Sequence, residues 1–139
     1  MSKVASKRRI LIVEDEMMIL LLMEEILSDA GFACATAANV EQALALVKAE
    51  TFDGATLDVN LNGDKSYPLA DVLAASGVPF LFVTGYGRRG LNEHYRGWPI
   101  LNKPFHCDTL VEMVRRLVPE AGGDAGTRSD NVAEALNRR

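Results

Sequence analysis

Ile10–Val13, cut off by Glu14-Asp15-Glu16, and residues 78–84, VPFLFVT, ended by Gly85, are short apolar runs without alternation. A strand with one wet face alternates polar and apolar residues, so a continuous run implies burial on both faces and a central place in a parallel sheet. A parallel sheet needs helical crossovers between its strands, and that requirement organises the rest of the chain.

The stretch 52–60, FDGATLDVN, is a third strand, ended by the turn chemistry of Asn60, Asn62 and Gly63. Shorter strands are expected at 32–37 and 99–101. Between them the apolar spacing predicts helices from Asp15 or Glu16 to about Ala30, from Val40 to about Glu50, from Pro68 to Ser76 and from Asp108 to about Val118. Gly31 marks the end of the first and Asn39 the cap of the second. Residues 61–67 read as loop, and residues 86–98 accommodate at most one short helix. The tally, five strands alternating with four or five helices, predicts an α/β fold with a doubly wound five-stranded parallel sheet. The domain is expected to span 1–118, with residues 119–139 expected to be a flexible or weakly helical tail too short for an output domain.

Composition narrows the function. A net charge of −4 argues against a nucleic-acid surface. No apolar run approaches the roughly 20 residues that span a bilayer. Cys34 and Cys107 fit neither a metal spacing nor a disulfide framework and read as free thiols, which points to the cytoplasm. His94 and His106 read as surface residues, and Arg88-Arg89 as a solvated loop.

In a parallel sheet the carboxyl ends of all strands meet at one edge, where such folds place their ligands. Here those ends carry Glu14 and Asp15, Asp58, Thr84 and Lys103. Each has an ordinary explanation alone: helix N-terminal charge, strand terminator, strand residue, solvated lysine. Together, three mutually repelling carboxylates call for a cation, and an oxygen-only donor set suits Mg²⁺. With a hydroxyl and an ammonium added, the set suits transfer of a phosphoryl group to an aspartate oxygen.

The motifs ILIVEDE, Asp58 at a strand end, Thr84 in FVTG and Lys103-Pro104 in LNKPF resemble those of CheY-like receiver domains of two-component response regulators, over about residues 8–118. The resemblance implies a flavodoxin-like sheet of order 2-1-3-4-5 and Asp58 as phosphoacceptor. It implies metal ligation by Asp15, Asp58 and the Asn60 backbone carbonyl, with Glu14 acting through water. Thr84 and Lys103 would hold the phosphoryl group, and a cis bond would precede Pro104. The donor would be a histidine kinase or histidine phosphotransferase. The protein would assist its own phosphorylation and dephosphorylation without being an enzyme, and would switch partner binding or act as a phosphate sink in a phosphorelay.

Most receivers carry an aromatic residue three positions before the lysine; this chain has Ile100. PFLFVTGYG resembles the motif of the FAT GUY single-domain regulators, with Val83 in place of the usual alanine and an altered fourth helix. That subclass brings HWE-type kinases as donors and leaves Thr84, Tyr86 and Ile100 as switch candidates. Met17, Met18, Leu21 and Pro104 are candidate kinase contacts; a weak homodimer is the other use of the unusually apolar first helix. Two functions compete. An aspartyl-phosphate phosphatase would pair the nucleophile with a second acid two residues on, where this chain has Asn60. A phosphorylation-independent binding module would have no need of the complete phosphoryl-handling set.

Overall fold

The computed structural model describes residues 7–119. The tail beyond Pro119 and the first six residues lie outside it, and so does the expectation for the tail. In chain order the elements are β1 (Arg9–Val13), α1 (Met17–Asp29), β2 (Ala33–Ala37), α2 (Val40–Ala49), β3 (Gly54–Asp58), β4 (Asn60–Leu61), β5 (Asp64–Lys65), α3 (Tyr67–Ala75), β6 (Phe80–Thr84), two 3-10 turns at Gly87–Gly90 and Glu93–Tyr95, β7 (Ile100–Asn102) and α4 (Cys107–Leu117). Five strands make one parallel sheet of order β2-β1-β3-β6-β7, which is the expected 2-1-3-4-5 pattern of a flavodoxin-like fold.

The apolar runs have the predicted cause. Ile10 and Ile12 face a core built with Leu20, Met23 and Leu27 of α1 and Leu110 and Val114 of α4. Leu11 and Val13 face the other core, with Ala43 of α2 and Leu69, Ala70 and Leu73 of α3. From Ile10 to Val13 both faces of β1 are therefore dry; only Arg9, half-buried at its start, is polar. Each fully buried Leu or Ile contributes about 1.5–3 kcal/mol on transfer from water.

Two local expectations are corrected. The carboxylates after β1 do not sit in the first turn of α1, which begins at Met17 with Glu16 at the N-cap and no side-chain cap. Glu14 and Asp15 are drawn instead to the sheet edge. Residues 61–67 are not simple loop: β4 and β5 form a two-stranded antiparallel hairpin pairing Asn60 with Lys65 and Leu61 with Asp64. Its turn residues Asn62 (φ 55°) and Gly63 (φ 89°) take the left-handed conformations of a two-residue hairpin turn, which asparagine and glycine tolerate best.

Residues 86–98, expected to accommodate at most one short helix, hold two 3-10 turns and no α-helix. An aromatic cluster replaces helical packing there. Tyr95 is buried, stacks on Tyr67 at 5.8 Å and meets Phe80, Phe82 and Trp98 edge-on. The Tyr67 hydroxyl donates to the Gly90 carbonyl (3.2 Å) and accepts from the Asn92 N–H (2.8 Å). The Tyr95 hydroxyl donates to Asp71 of α3. Burial and that neighbouring carboxylate push the phenol well above its usual range. Arg88 is exposed, as read, and its guanidinium also donates to the carbonyls of Arg96 (2.6 Å) and Trp98 (3.0 Å), tying the segment together.

Candidate functional site

The carboxyl edge of the sheet brings Glu14, Asp15, Asp58, Thr84 and Lys103 together. Glu14 follows β1 and Asp58 ends β3; both are buried, and Asp15 beside them is half-buried. One carboxylate oxygen from each of the three lies within 4.8 Å of the others. Lys103, after β7, sets its ammonium 2.9 Å from Glu14 Oε1, 3.2 Å from Asp58 Oδ2 and 3.7 Å from Glu16. The Lys103–Pro104 peptide is cis.

The electrostatics follow from crowding in a dry site. Burial, reinforced by the Asp58 charge, pushes Glu14 up to about 7, against the pull of Lys103 and the Glu16 N–H. Burial also raises Asp58, although Lys103 opposes it. For Lys103, burial disfavours the charge, yet the Glu14 and Asp58 carboxylates outweigh it and hold the amine above its usual value. Glu14 Oε1 is close to Lys103 but poorly aligned for a hydrogen bond, and it has no other partner. Three anionic groups thus share one cation. A buried carboxylate oxygen without a well-formed donor, next to two more carboxylates, is a donor set for a hard divalent ion such as Mg²⁺.

Local folding positions each group. Glu14 Oε2 accepts the Glu16 N–H at 3.1 Å, which curls the chain at the entry to α1. Asp15 Oδ2 accepts the Asn62 N–H at 2.9 Å, so the hairpin turn anchors it from across the site. Asp58 Oδ1 lies 3.4 Å from the Asn60 N–H. The Thr84 hydroxyl, 2% exposed, accepts the Tyr86 N–H at 3.0 Å, and the Lys103 N–H donates to the Thr84 carbonyl at 2.8 Å. A hydroxyl that accepts one bond still has its own proton to give.

The remaining candidates lie around this centre. Met17, Met18 and Leu21 are 56%, 81% and 53% exposed at the start of α1, and Pro104 is exposed beside Lys103. Ile100 packs half-buried against the core, whereas the Tyr86 side chain is 74% exposed. His94, His106 and Cys107 are exposed, as read; Cys34 is half-buried against the α1–α4 core, and burial raises its thiol. Sequence reasoning missed Asn62, which binds Asp15, and Lys65, whose ammonium donates to Asn60 Oδ1 at 2.6 Å. The signal was present: Asn-Gly between short polar-apolar segments is a strong hairpin mark.

Comparison with known proteins gives consistent relatives. The family profile described as "Response regulator receiver domain" matches residues 10–115. The solution structure of SdrG from Sphingomonas melonis Fr1 is 38% identical, with a TM-score of 0.71 over 82% of this chain and 98% of that one. The Thermotoga maritima response regulator protein TrrA, solved in complex with Mg²⁺-BeF, is 27% identical, with a TM-score of 0.71 over 79% and 98% of the two chains. Among curated proteins, the cell cycle response regulator CtrA of Brucella abortus is 29% identical over 124 residues. That alignment covers 84% of this chain and 53% of CtrA, so the chain spans about half the length of the curated relatives it matches. Among the described residues no helix is long and apolar enough to cross a membrane. With the sheet order, the acidic cluster and the matched span in agreement, the chain belongs to the response regulator receiver domain family.

Proposed function

We propose that Asp58 accepts a phosphoryl group from a histidine kinase or histidine phosphotransferase, in a Mg²⁺-dependent reaction, and that the modification switches binding to a partner or stores phosphate in a relay. The observation that carries this is the Lys103 ammonium held between Asp58 and Glu14 with Asp15 alongside, three carboxylates and one cation at a single sheet edge. Asp15, Asp58 and the Asn60 carbonyl would hold the metal, with Glu14 behind them; the ion supplies positive charge for the oxygens of the transferring group. Asp58 is the nucleophile. Lys103 leaves Glu14 to pair with a phosphoryl oxygen, and the free proton of Thr84 bonds another. The phosphatase alternative is disfavoured because Asn60, where a second acid would stand, cannot exchange a proton and is already engaged by Lys65.

Phosphorylation adds about 1.5–2 negative charges at this edge. Turning Thr84 toward them would break its bond with the Tyr86 N–H, so Tyr86 and the 86–98 segment carry the change to partners, and Ile100 does not. The PFLFVTGYG motif and the absence of an α-helix at 86–98 support assignment to the FAT GUY subclass, with an HWE-type kinase as donor. Met17, Met18, Leu21 and Pro104 form the kinase-facing surface, with a second copy of the chain as the competing occupant.

An acyl phosphate with Mg²⁺, followed by intact-mass measurement, tests the core of this reading. One added phosphoryl group, lost in Asp58→Asn, is expected. No modification would leave a phosphorylation-independent module, and sustained turnover of phosphate esters would indicate a phosphatase.

A further inference from the structure

The β4–β5 hairpin fixes the side chain beside the proposed phosphoacceptor. Val59 and Leu61 are buried in the core, which by alternation leaves Asp58 and Asn60 on the opposite, site-facing side. Lys65 stands directly across the hairpin from Asn60 and donates to its Oδ1 at 2.6 Å. The left-handed Asn62-Gly63 turn fixes that register, and the Asn62 N–H at Asp15 Oδ2 ties the hairpin to the site. An ammonium can only donate, so the amide atom that meets it is the oxygen. The carboxamide NH₂ is then the end left over.

Hydrolysis of an aspartyl phosphate is attack of a water oxygen on phosphorus. The bond from phosphorus to the Asp58 carboxylate oxygen breaks, and the products are the free carboxylate and dihydrogen phosphate, which keeps both protons of the water. A neutral side chain beside phosphorus assists only by accepting a hydrogen bond from that water and orienting it, as a glutamine does in GTP hydrolysis. Within the Asn60 carboxamide only the oxygen can accept that bond; its NH₂ cannot serve. We infer that Lys65 is a positioning residue that competes with the attacking water for the Asn60 amide oxygen, holding one of its two lone pairs and fixing its direction, and so lengthens the lifetime of phosphorylated Asp58. The inference rests on the phosphoacceptor reading above.

The test uses the full chain, labelled with acetyl phosphate and Mg²⁺, freed of donor and followed by phosphate-affinity gel. Lys65→Met should lose phosphate about three- to tenfold faster, the range by which one charged but solvated hydrogen bond occupies its acceptor. Lys65→Arg, which keeps a donor, should stay within about twofold of wild type, which a generic packing role would not explain. In an Asn60→Ala background, which retains the backbone carbonyl, Lys65→Met should have no effect. Magnesium affinity should be equal in wild type and Lys65→Met, showing that the hairpin still anchors Asp15. Labelling with equal lifetimes in wild type and Lys65→Met overturns this inference alone. An effect that persists without the Asn60 side chain also overturns it, because Lys65 would then act on the phosphoryl group directly. Failure of wild type to label at all removes the phosphoacceptor reading and this inference with it.

Discussion

Gly90→Ala is a one-methyl perturbation that asks whether the 86–98 segment presses on the site. A Cβ at Gly90 would lie 2.9 Å from Thr84 Oγ1 and 3.1 Å from Tyr86 Cβ, where ordinary contact begins near 3.4 Å. Something must therefore retreat by about 0.5 Å. Thr84 is β-branched, 2% exposed and bonded to the Tyr86 N–H, so it has little freedom to yield. The Gly90 backbone is also held, through its carbonyl, by Tyr67. Overpacking costs about 1–3 kcal/mol, and the hydrogen bond at risk about 0.5–1.5 kcal/mol. Against this, removing a glycine from the unfolded chain stabilises by about 0.4–1 kcal/mol where the native backbone permits alanine. The clash should win, leaving a loss of about 1–2 kcal/mol. Gly85→Ala is the control: its Cβ meets nothing within 4 Å, so only the entropic gain remains. Urea denaturation, with a slope of about 1–3 kcal/mol per molar, resolves the two midpoints readily. If Gly90→Ala stabilises as much as Gly85→Ala does, the segment does not bear on Thr84, and the route proposed from Thr84 to residues 86–98 loses its physical contact.

Magnesium affinity measured by calorimetry should fall most in Asp15→Ala, then in Asp58→Asn and Glu14→Gln, because Asp15 is the most accessible of three clustered carboxylates; equal affinity in wild type and Asp15→Ala contradicts the ranking. Tyr67→Phe keeps the ring stack on Tyr95 but orphans the Gly90 carbonyl and the Asn92 N–H, and should cost about 1–2 kcal/mol with faster amide exchange at 86–98; unchanged exchange there would show that the hydroxyl is not the tether. Glu14 is raised from 4.5 to about 7, chiefly by burial, so the metal-free fold holds a proton there that the unfolded chain releases. Stability without Mg²⁺ should therefore rise as pH falls from about 7 toward 4.5, by linkage, and saturating Mg²⁺ should flatten the slope; a rise in the opposite direction refutes the sign. Met18→Glu should slow phosphotransfer from a kinase and leave acetyl-phosphate labelling intact, whereas equal loss in both assays indicates a folding defect.

The strands that carry the site were legible because burial on both faces leaves a short continuous apolar run bounded by polar or turn residues. Ile10–Val13 feeds two cores at once, so its sequence has no polar position to misread. The candidate residues were legible for a related reason: Glu14 follows β1, β3 and β6 finish at Asp58 and Thr84, and parallel strands bring those ends to one edge. Helix bounds drifted by a residue or two, most instructively at α1. There the acidic run looked like helix N-terminal charge, but Lys103 and the Asn62 N–H compete for the same carboxylates and win. The 86–98 segment was opaque because its order comes from partners far away in sequence. Tyr67 reaches Gly90 and Asn92, and Asp71 reaches Tyr95, across more than twenty residues. No local periodicity records such contacts.

The hairpin and the 86–98 segment meet the site through different atoms. The hairpin touches the groups that would hold metal and water: Asn62 binds Asp15, and Lys65 binds Asn60. The 3-10 segment touches the hydroxyl that would sense the phosphoryl group, with Gly90 against Thr84 and Tyr86 bonded to it. These contacts divide the chemistry. On the proposed function, how long a phosphoryl group stays would depend on water and its acceptors, hence on the hairpin side. What a partner reads depends on Thr84 and what rests on it, hence on the aromatic side. Because the two sides share no hydrogen bond with each other among the described residues, substitutions on one should change lifetime without changing the response, and substitutions on the other the reverse. Lys65→Met and Gly90→Ala, measured for both properties and then combined, should act additively, as independent sites do. Strong coupling between them would mean that the site moves as one piece.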